Sequence, residues 1–280
     1  MALVDYGSSS DDEEGHALQK SASPSKKQKK LPSLPLTFDT APKDDPSLHQ
    51  GRKRSRPYVD GEYNTHVYLS LSIPLRLSKI LETIIAKLPP SPNPIHALLP
   101  SLHISLTRPV PLRRHQIQPF KDELASRLGQ ICTFKLSLTG SVKAYYNEVT
   151  GGGSNRVFLA LRVGAGVSEL KKIVDVVLDP TLKKIHLPTY HDNPEFHTSF
   201  AWTLFSTKTN DQDTSRGNLS AFGDRSEETP GLPFGEEDLD RVNSIFESEV
   251  LKAQPAGGWT ISSVEVKVAK EIATIPLKLA

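Results

Sequence analysis

The stretch FHTSFAWTLF at residues 196–205 has the alternation that decides how this chain is expected to fold. In a β-strand, the side chains at positions i and i+2 lie on one face, about 6.5 Å apart, and the next side chain lies on the other face. His197 and Ser199 therefore share one face. The opposite face carries mostly large apolar side chains, namely Phe196, Thr198, Phe200 and Trp202. That face is expected to pack on a core, which leaves the His–Ser pair outside it.

A second stretch, SLHISLTR at residues 101–108, repeats this pattern earlier in the chain. His103 and Ser105 share one face, and Leu102, Ile104 and Leu106 share the other. A single histidine on a strand is more often structural, hydrogen-bonded within its sheet. Two matched pairs in matched settings favour a functional role, and they indicate two similar lobes that each contribute one strand.

Hydrophobic periodicity places further strands and helices after residue 65. Strands are predicted at 66–73, 133–138, 157–163, and in the closing segments WTISSVEVKV and ATIPLKL. Four helices are predicted from apolar residues at helical spacing, within 77–88, 117–128, 170–177 and 239–250. The third helix is expected to end at Asp179–Pro180. This mixed order of elements indicates an α+β fold class.

The composition restricts the class of protein. Hydrophobic residues make up 37% of 280 residues, and no apolar run approaches the roughly 18–20 residues that span a bilayer. The single cysteine, Cys132, excludes an intramolecular disulfide and a cysteine-rich zinc site, and it favours a reducing compartment. The net charge of +2 does not by itself indicate a nucleic-acid partner.

Domain organisation follows from the distribution of charge and of Pro, Gly and Ser. Residues 1–60 are predicted to be a disordered tail, and residues 61–280 the folded domain, with 206–235 a loop insertion. Basic clusters at 24–30 and 51–57 resemble nuclear-import signals or phosphate-attracting arms. A solvated tail without such a role is the alternative.

The two His–Ser pairs suit one reaction, the cleavage of RNA by its own 2′-hydroxyl group. This reaction needs a base for the hydroxyl proton and an acid for the departing 5′-oxygen, and histidine can be either near neutral pH. His103 and His197 would supply both, without a metal or another cofactor. Ser105 and Ser199 could donate to the non-bridging phosphate oxygens. Which histidine is the base stays open, with His197 as base and His103 as acid the working assignment.

A metal site is the competing interpretation of one polar segment, which contains His186, His191, Asp192, Glu195 and His197. Their spacing matches no metal motif, and Pro188 and Pro194 interrupt any helix that would align them. We therefore expect no metal. Arg108 and Lys267 are candidate phosphate contacts, and a solvated basic edge is an equal alternative for both.

The motifs carry a family resemblance. FHTSFAW and LHISLTR resemble the two His-x-Ser/Thr signatures of the 2H phosphoesterase superfamily. SLHISLTRPVPLRRHQIQPF, NRVFLALRV, YHDNPEFHTSFAW and VEVKVAKEIATIPLKL, together with the start MALVDYGSSSDDE, resemble the U6 snRNA phosphodiesterase family. The resemblance covers roughly residues 65–280 and is weakest across 206–258.

This resemblance implies two pseudo-symmetric lobes with antiparallel sheets and flanking helices around a central cleft. It implies a 3′→5′ exoribonuclease that trims the oligouridine 3′ end of U6 snRNA and leaves a 2′,3′-cyclic phosphate or a 3′-phosphate. RNA as partner, a nuclear location and a monomer without membrane contact follow as expectations. His103, Ser105, His197 and Ser199 match the catalytic positions of the family.

One position departs from the family pattern. The family commonly has a base-stacking tyrosine six residues before the second motif histidine, and here that position is His191, preceded by Tyr190. Either ring could stack on the terminal base. Three other functions stay open: a 2H-type cyclic phosphodiesterase acting on other RNA ends, a non-catalytic RNA-binding module, and a metal-dependent nuclease.

Overall fold

The structure is a computed structural model that describes residues 45–51, 56, 58–147, 155–205 and 233–279. The strands are β1 (Glu62–Ser72), β2 (His96–Ala97), β3 (Ser101–Ser105), β4 (Val110–Arg113), β5 (Phe134–Leu136), β6 (Leu138–Asn147), β7 (Arg156–Val163), β8 (His197–Leu204), β9 (Trp259–Ile261), β10 (Ser263–Val268) and β11 (Glu271–Pro276). The helices are a 3₁₀ turn (Pro46–His49), α1 (Leu75–Lys87), α2 (Arg114–Leu128), α3 (Val167–Lys172), a π-helical segment (Ile173–Leu178), α4 (Asp179–Lys184) and α5 (Glu236–Lys252).

The strands form because their apolar residues alternate with polar ones. In β1, Val67, Leu69 and Leu71 are buried, whereas His66 and Tyr68 between them are only partly buried. Burial of each large aliphatic side chain contributes about 1.5–3 kcal/mol. β1 therefore has a fixed core face, and its other face carries rings and hydroxyl groups.

One nine-stranded antiparallel sheet contains most of the strands, in the order β11-β10-β1-β3-β8-β7-β6, with β2 paired to β8 and β4 paired to β1. β3 and β8 join its two halves through a single registered pair, Ile104 with Thr198. The α+β class is confirmed, and the two expected lobes are the halves of this sheet. The C-terminal strands β10 and β11 return to the first half.

The helix α5 closes the outer edge of β6. The regular pairing of β6 with β7 shifts between Leu138 and Val142. Asn243 accepts from the Val142 N–H at 2.7 Å and donates to the Val142 carbonyl at 3.1 Å. Gln254 makes the same two bonds with Leu138, at 2.9 and 2.8 Å. These amides satisfy backbone groups that would otherwise lack partners.

Gly140 lies between the two amide contacts and explains how close the helix comes. A Cβ atom at this position would lie 2.5 Å from the Glu247 carbonyl oxygen. Any other side chain would therefore push α5 away from β6.

Two expectations about secondary structure are wrong. The third helix does not end at Asp179–Pro180, because helical residues continue through the π-helical segment and α4 to Lys184. Pro180 lies in the first turn of α4, directly after the π-helical segment. The hydrophobic pattern also did not predict β2, β4 and most of β6.

Several predictions concern residues that the structure does not describe. The tail at 1–60 falls on such residues over 1–44, 52–55 and 57, and the loop insertion at 206–235 does so over 206–232. Both stay predictions. Within the described residues, no helix combines the length and the apolar character needed to cross a membrane.

The Asn243 contact gives a stability prediction. Asn243→Ala should lower the free energy of unfolding by roughly 1–3 kcal/mol, because the Val142 N–H and carbonyl both lose their partner. Urea denaturation measures this change. Ser248→Ala, at an exposed position of the same helix, should stay within about 0.5 kcal/mol of the unmodified protein. Equal stability of the two variants would show that the Asn243 contact does not stabilise the fold.

Candidate active site

The pairing of β3 with β8 brings the four motif side chains together. Next to the registered pair Ile104–Thr198, antiparallel geometry places His103 opposite Ser199 and Ser105 opposite His197. Ile104 and Thr198 are fully buried, while the four motif residues lie on the more open face. Each histidine thus faces the serine of the other strand, and the two histidines lie on a diagonal. The expected faces of both strands are confirmed.

His197 is held in one orientation from two directions. Its Nδ1 atom lies 2.7 Å from the Glu195 carbonyl oxygen, so Nδ1–H is the donor and Nε2 is left for the cleft. The Tyr145 ring stacks on the imidazole with centroids 3.9 Å apart and planes 11° apart. Burial lowers the pKa of His197 below its ordinary value, although the Glu195 carbonyl and carboxylate oppose this effect. A neutral ring with a free Nε2 is suited to accept a proton.

A small ion cluster surrounds the Glu195 carboxylate beside His197. Lys143 lies 3.1 Å away and Arg162 lies 2.7 Å away. Burial alone would raise the pKa of Glu195, but Lys143, Tyr145 and Arg162 bring it below the ordinary value. Glu195 therefore stays ionised, and its backbone carbonyl is anchored where His197 needs it.

His103 has different surroundings. Its ring makes edge contacts with Tyr68 at 5.5 Å and with His66 at 5.7 Å between centroids. Among the described residues, no side chain hydrogen-bonds to this imidazole. Burial lowers the pKa of His103, and the nearby His197 and Lys267 lower it further. An anion placed between the two histidines would counteract this effect, because it stabilises the protonated form.

Ser105 has a partner that the sequence did not single out. His66 Nε2 lies 3.1 Å from Ser105 Oγ. Tyr68, directly across from Ser105 in the β1–β3 register, stacks on His66 with centroids 5.2 Å apart. Burial and the Glu265 carboxylate raise the pKa of Tyr68 to about 12, so this phenol stays protonated.

Tyr190 and His191 occupy the segment that leads into β8. With Arg108 and Asn193 they line a groove of about 750 Å³. The Tyr190 N–H donates to the Asp179 carboxylate at 3.1 Å, and its ring packs on Phe196. Tyr190 is therefore fixed by the α4 start and by the core.

The His191 ring is fixed by Arg108. The Arg108 guanidinium donates to His191 Nδ1 at 3.0 Å, so the other ring nitrogen carries the proton. Burial lowers the pKa of His191, and Arg108 and His197 lower it further despite the Asp192 charge. The predicted stacking residues thus lie together in the segment that leads into β8, and Arg108 binds the His191 ring.

The possible metal ligands do not assemble. Within the described part of the chain, no three side chains of His, Cys, Asp or Glu are grouped so that they could hold a metal ion. Glu195 is bound to Lys143 and Arg162 instead.

Sequence reasoning missed His66 and Tyr68, although their signal was present. Both alternate with the buried Val67 and Leu69 in the same strand that the hydrophobic pattern predicts. An aromatic or imidazole ring at a position expected on the open face of a strand is the feature that indicates such a residue.

The sequence is similar to those of several named proteins. The model of the HVSL family, described as an uncharacterised conserved protein, matches residues 24–276. A Drosophila melanogaster protein named U6 snRNA phosphodiesterase 1 is 32% identical over 229 residues, which are 75% of this chain and 84% of that protein. The Mus musculus protein of the same name is 31% identical over 177 residues, and the match spans 62% of its length.

Among solved structures, Kluyveromyces marxianus Usb1 with uridine monophosphate aligns with a TM-score of 0.44 and 14% identity. The alignment covers 76% of this chain and 97% of that one.

Proposed function

Since the chain belongs to the U6 snRNA phosphodiesterase family, we propose that it is a metal-independent 3′→5′ exoribonuclease that trims the oligouridine end of U6 snRNA. The observation that carries the proposal is the arrangement of two His–Ser pairs across the β3–β8 junction. RNA is the partner, the nucleus is the location, and the protein acts as a monomer without a cofactor. The substrate is proposed from the names of the relatives.

The reaction is a transesterification followed by an optional hydrolysis. His197 Nε2 removes the proton from the 2′-hydroxyl of the penultimate nucleotide, and the 2′-oxygen attacks phosphorus. The bond to the 5′-oxygen of the last nucleoside breaks, and protonated His103 delivers a proton to that oxygen. The shortened RNA keeps a 2′,3′-cyclic phosphate, which water can open to a 3′-phosphate.

The surroundings of each histidine support these roles. The Glu195 carbonyl fixes the His197 tautomer with Nε2 free, as a base requires. The phosphate that enters the cleft raises the proton affinity of His103, as an acid requires. Ser105 and Ser199 donate to the non-bridging oxygens as negative charge develops.

The groove lined by Tyr190, His191 and Arg108 is the site proposed for the terminal base. The Tyr190 ring packs on the buried Phe196. The His191 ring, which Arg108 holds in place, is therefore the proposed stacking surface. Stacking on one base contributes roughly 1–3 kcal/mol.

Removal of either histidine should abolish the activity. For an RNA with an oligouridine 3′ end, His103→Ala and His197→Ala should each lower kcat at least about 100-fold, because each removes a proton-transfer group. Excess EDTA should leave the unmodified protein active, and the products should carry cyclic or 3′-phosphate ends. His115→Ala, at an exposed position of α2, is the matched control and should cleave normally.

A single 2′-deoxy group at the penultimate nucleotide sharpens this experiment, since it removes the nucleophile. Cleavage of that RNA, inhibition by EDTA, or a normal rate in either alanine variant would refute the mechanism. Tight binding without cleavage would identify an RNA-binding module. Opening of a 2′,3′-cyclic mononucleotide with no shortening of the RNA would identify the cyclic phosphodiesterase.

The pH dependence of kcat/KM should be bell-shaped, with its maximum below pH 6.5. One histidine must be neutral and the other protonated, and burial lowers the pKa of both. As the pH rises above the maximum, the histidine that acts as the acid loses its proton, and the rate falls. As the pH falls, the base takes up a proton and the rate falls again. Initial rates between about pH 4 and pH 9 test this, and a flat profile from about pH 5 to pH 9 would contradict it.

The stacking proposal predicts an effect on substrate binding. His191→Ala should raise KM for a uridine-ended RNA about tenfold and leave kcat within about twofold, because it removes a stacking surface worth roughly 1–3 kcal/mol. His191→Tyr should restore most of the affinity. An unchanged KM in the alanine variant would assign stacking to another ring.

A further inference from the structure

Ser105 and Ser199 have matching positions in the two halves of the sheet, but they are held differently. Ser105 Oγ is within 3.1 Å of His66 Nε2. In the described part of the chain, no hydrogen bond reaches the Ser199 hydroxyl, and the residue across from it on β7 is Ala160. One hydroxyl therefore has a fixed partner, and the other can rotate.

The His66 ring is itself held in place. It lies on β1, which pairs with β3 along five consecutive residues that include Ser105 and His103. Its face stacks on Tyr68 with planes 27° apart, and its edge meets the His103 ring at 86°. His66 lies on the same open face as Ser105 and His103, on the strand next to β3.

The charge state of His66 decides what its Nε2 atom can do. Burial lowers its pKa to about 4, and the nearby His103 and Lys267 contribute. The ring is therefore neutral near pH 7 and carries one N–H. If Nε2 carries the proton, it donates to Ser105 Oγ, and the Ser105 hydroxyl can donate elsewhere. If Nδ1 carries the proton, Nε2 accepts a hydrogen bond from the Ser105 hydroxyl. That hydroxyl can then no longer donate to the phosphate.

We infer that His66 is a positioning residue: its Nε2–H donates to Ser105 Oγ and so directs the Ser105 hydroxyl proton to the phosphate between His103 and His197. This inference rests on the proposed function of that site. A donor held in advance towards the developing charge stabilises the transition state without reorganisation. Ser105 thus becomes the fixed phosphate donor and Ser199 the adaptable one.

A neutral donor suits this position better than a cationic one. A lysine or arginine at residue 66 could also donate to Ser105, but it would place a permanent positive charge beside His103. That charge would lower the proton affinity of His103, whose pKa is already lowered by His197 and Lys267. Histidine provides the N–H without this cost to the acid.

The first test measures the tautomer of His66 without RNA. In ¹⁵N-labelled protein near pH 7, the His66 ring nitrogens should show the proton on Nε2, with His66→Gln used to assign the signals. Ser105→Ala should shift the Nε2 signal more than the Nδ1 signal. A proton on Nδ1 overturns the inference, whether or not the protein cleaves RNA.

The second test is kinetic and uses two matched variants. His66→Phe keeps a flat ring against Tyr68 but has no N–H, and His66→Gln keeps an N–H donor at a similar distance from the backbone. The phenylalanine variant should lower kcat about tenfold, a fraction of the 10²–10³ that a lost oxyanion donor costs, with KM changed less than about twofold. The glutamine variant should recover most of that loss.

Combination with Ser105→Ala shows whether His66 acts through the serine. In that background, His66→Phe should change kcat by less than about twofold, because the hydroxyl that it directs is gone. A further tenfold loss there, or no recovery by glutamine, overturns the inference. An unmodified protein that cleaves no RNA refutes the proposed function instead, and the tautomer measurement still decides how the Ser105 hydroxyl is held.

Discussion

The antiparallel contact between β3 and β8 is the constraint on which the candidate site depends. The two strands share one registered pair, Ile104 with Thr198, and both side chains are fully buried. Because strand side chains alternate with a period of two, this pair determines which face His103 and His197 occupy. A slip of one residue in either strand would turn its histidine and serine into the core and expose large apolar side chains. The apolar core thus maintains the polar site.

Much of this arrangement could be predicted from the sequence, because it depends on local alternation. The alternation in LHISL and FHTSFAW predicts which side chains are buried and which are open. The burial observed along β3 and β8 confirms both predictions. The helices α1, α2 and α5 were recognisable for the same reason, from apolar residues at helical spacing. The family resemblance, which rests on separated blocks of sequence, is confirmed by the matches to known relatives.

The partners of the motif residues could not be predicted, because they depend on which strands become neighbours. Tyr145 reaches His197 from β6, although β7 lies between these strands. His66 reaches Ser105 only because β1 pairs with β3 in one particular register. The register in which two strands pair cannot be derived directly from a single sequence. The expected helix end at Asp179–Pro180 is wrong for another reason, because here the proline follows a π-helical segment and the helical run continues.

The two halves of the sheet surround their motif histidines differently. His197 has a hydrogen-bonded, stacked imidazole next to an ion cluster, whereas His103 lies among rings and near Lys267. The two histidines therefore differ in their surroundings, and burial holds the pKa of each imidazole below its ordinary value.

The amide contacts of Asn243 and Gln254 have a consequence beyond holding α5 in place. The last strand of a sheet leaves backbone groups that can pair with a strand from another molecule, and this is a common start of aggregation. At Leu138 and Val142, the side chains of Gln254, just after α5, and of Asn243, within α5, already occupy those groups. This stretch of the sheet border is therefore closed to intermolecular strand addition, and the protein gains protection against self-association where its regular ladder is weakest.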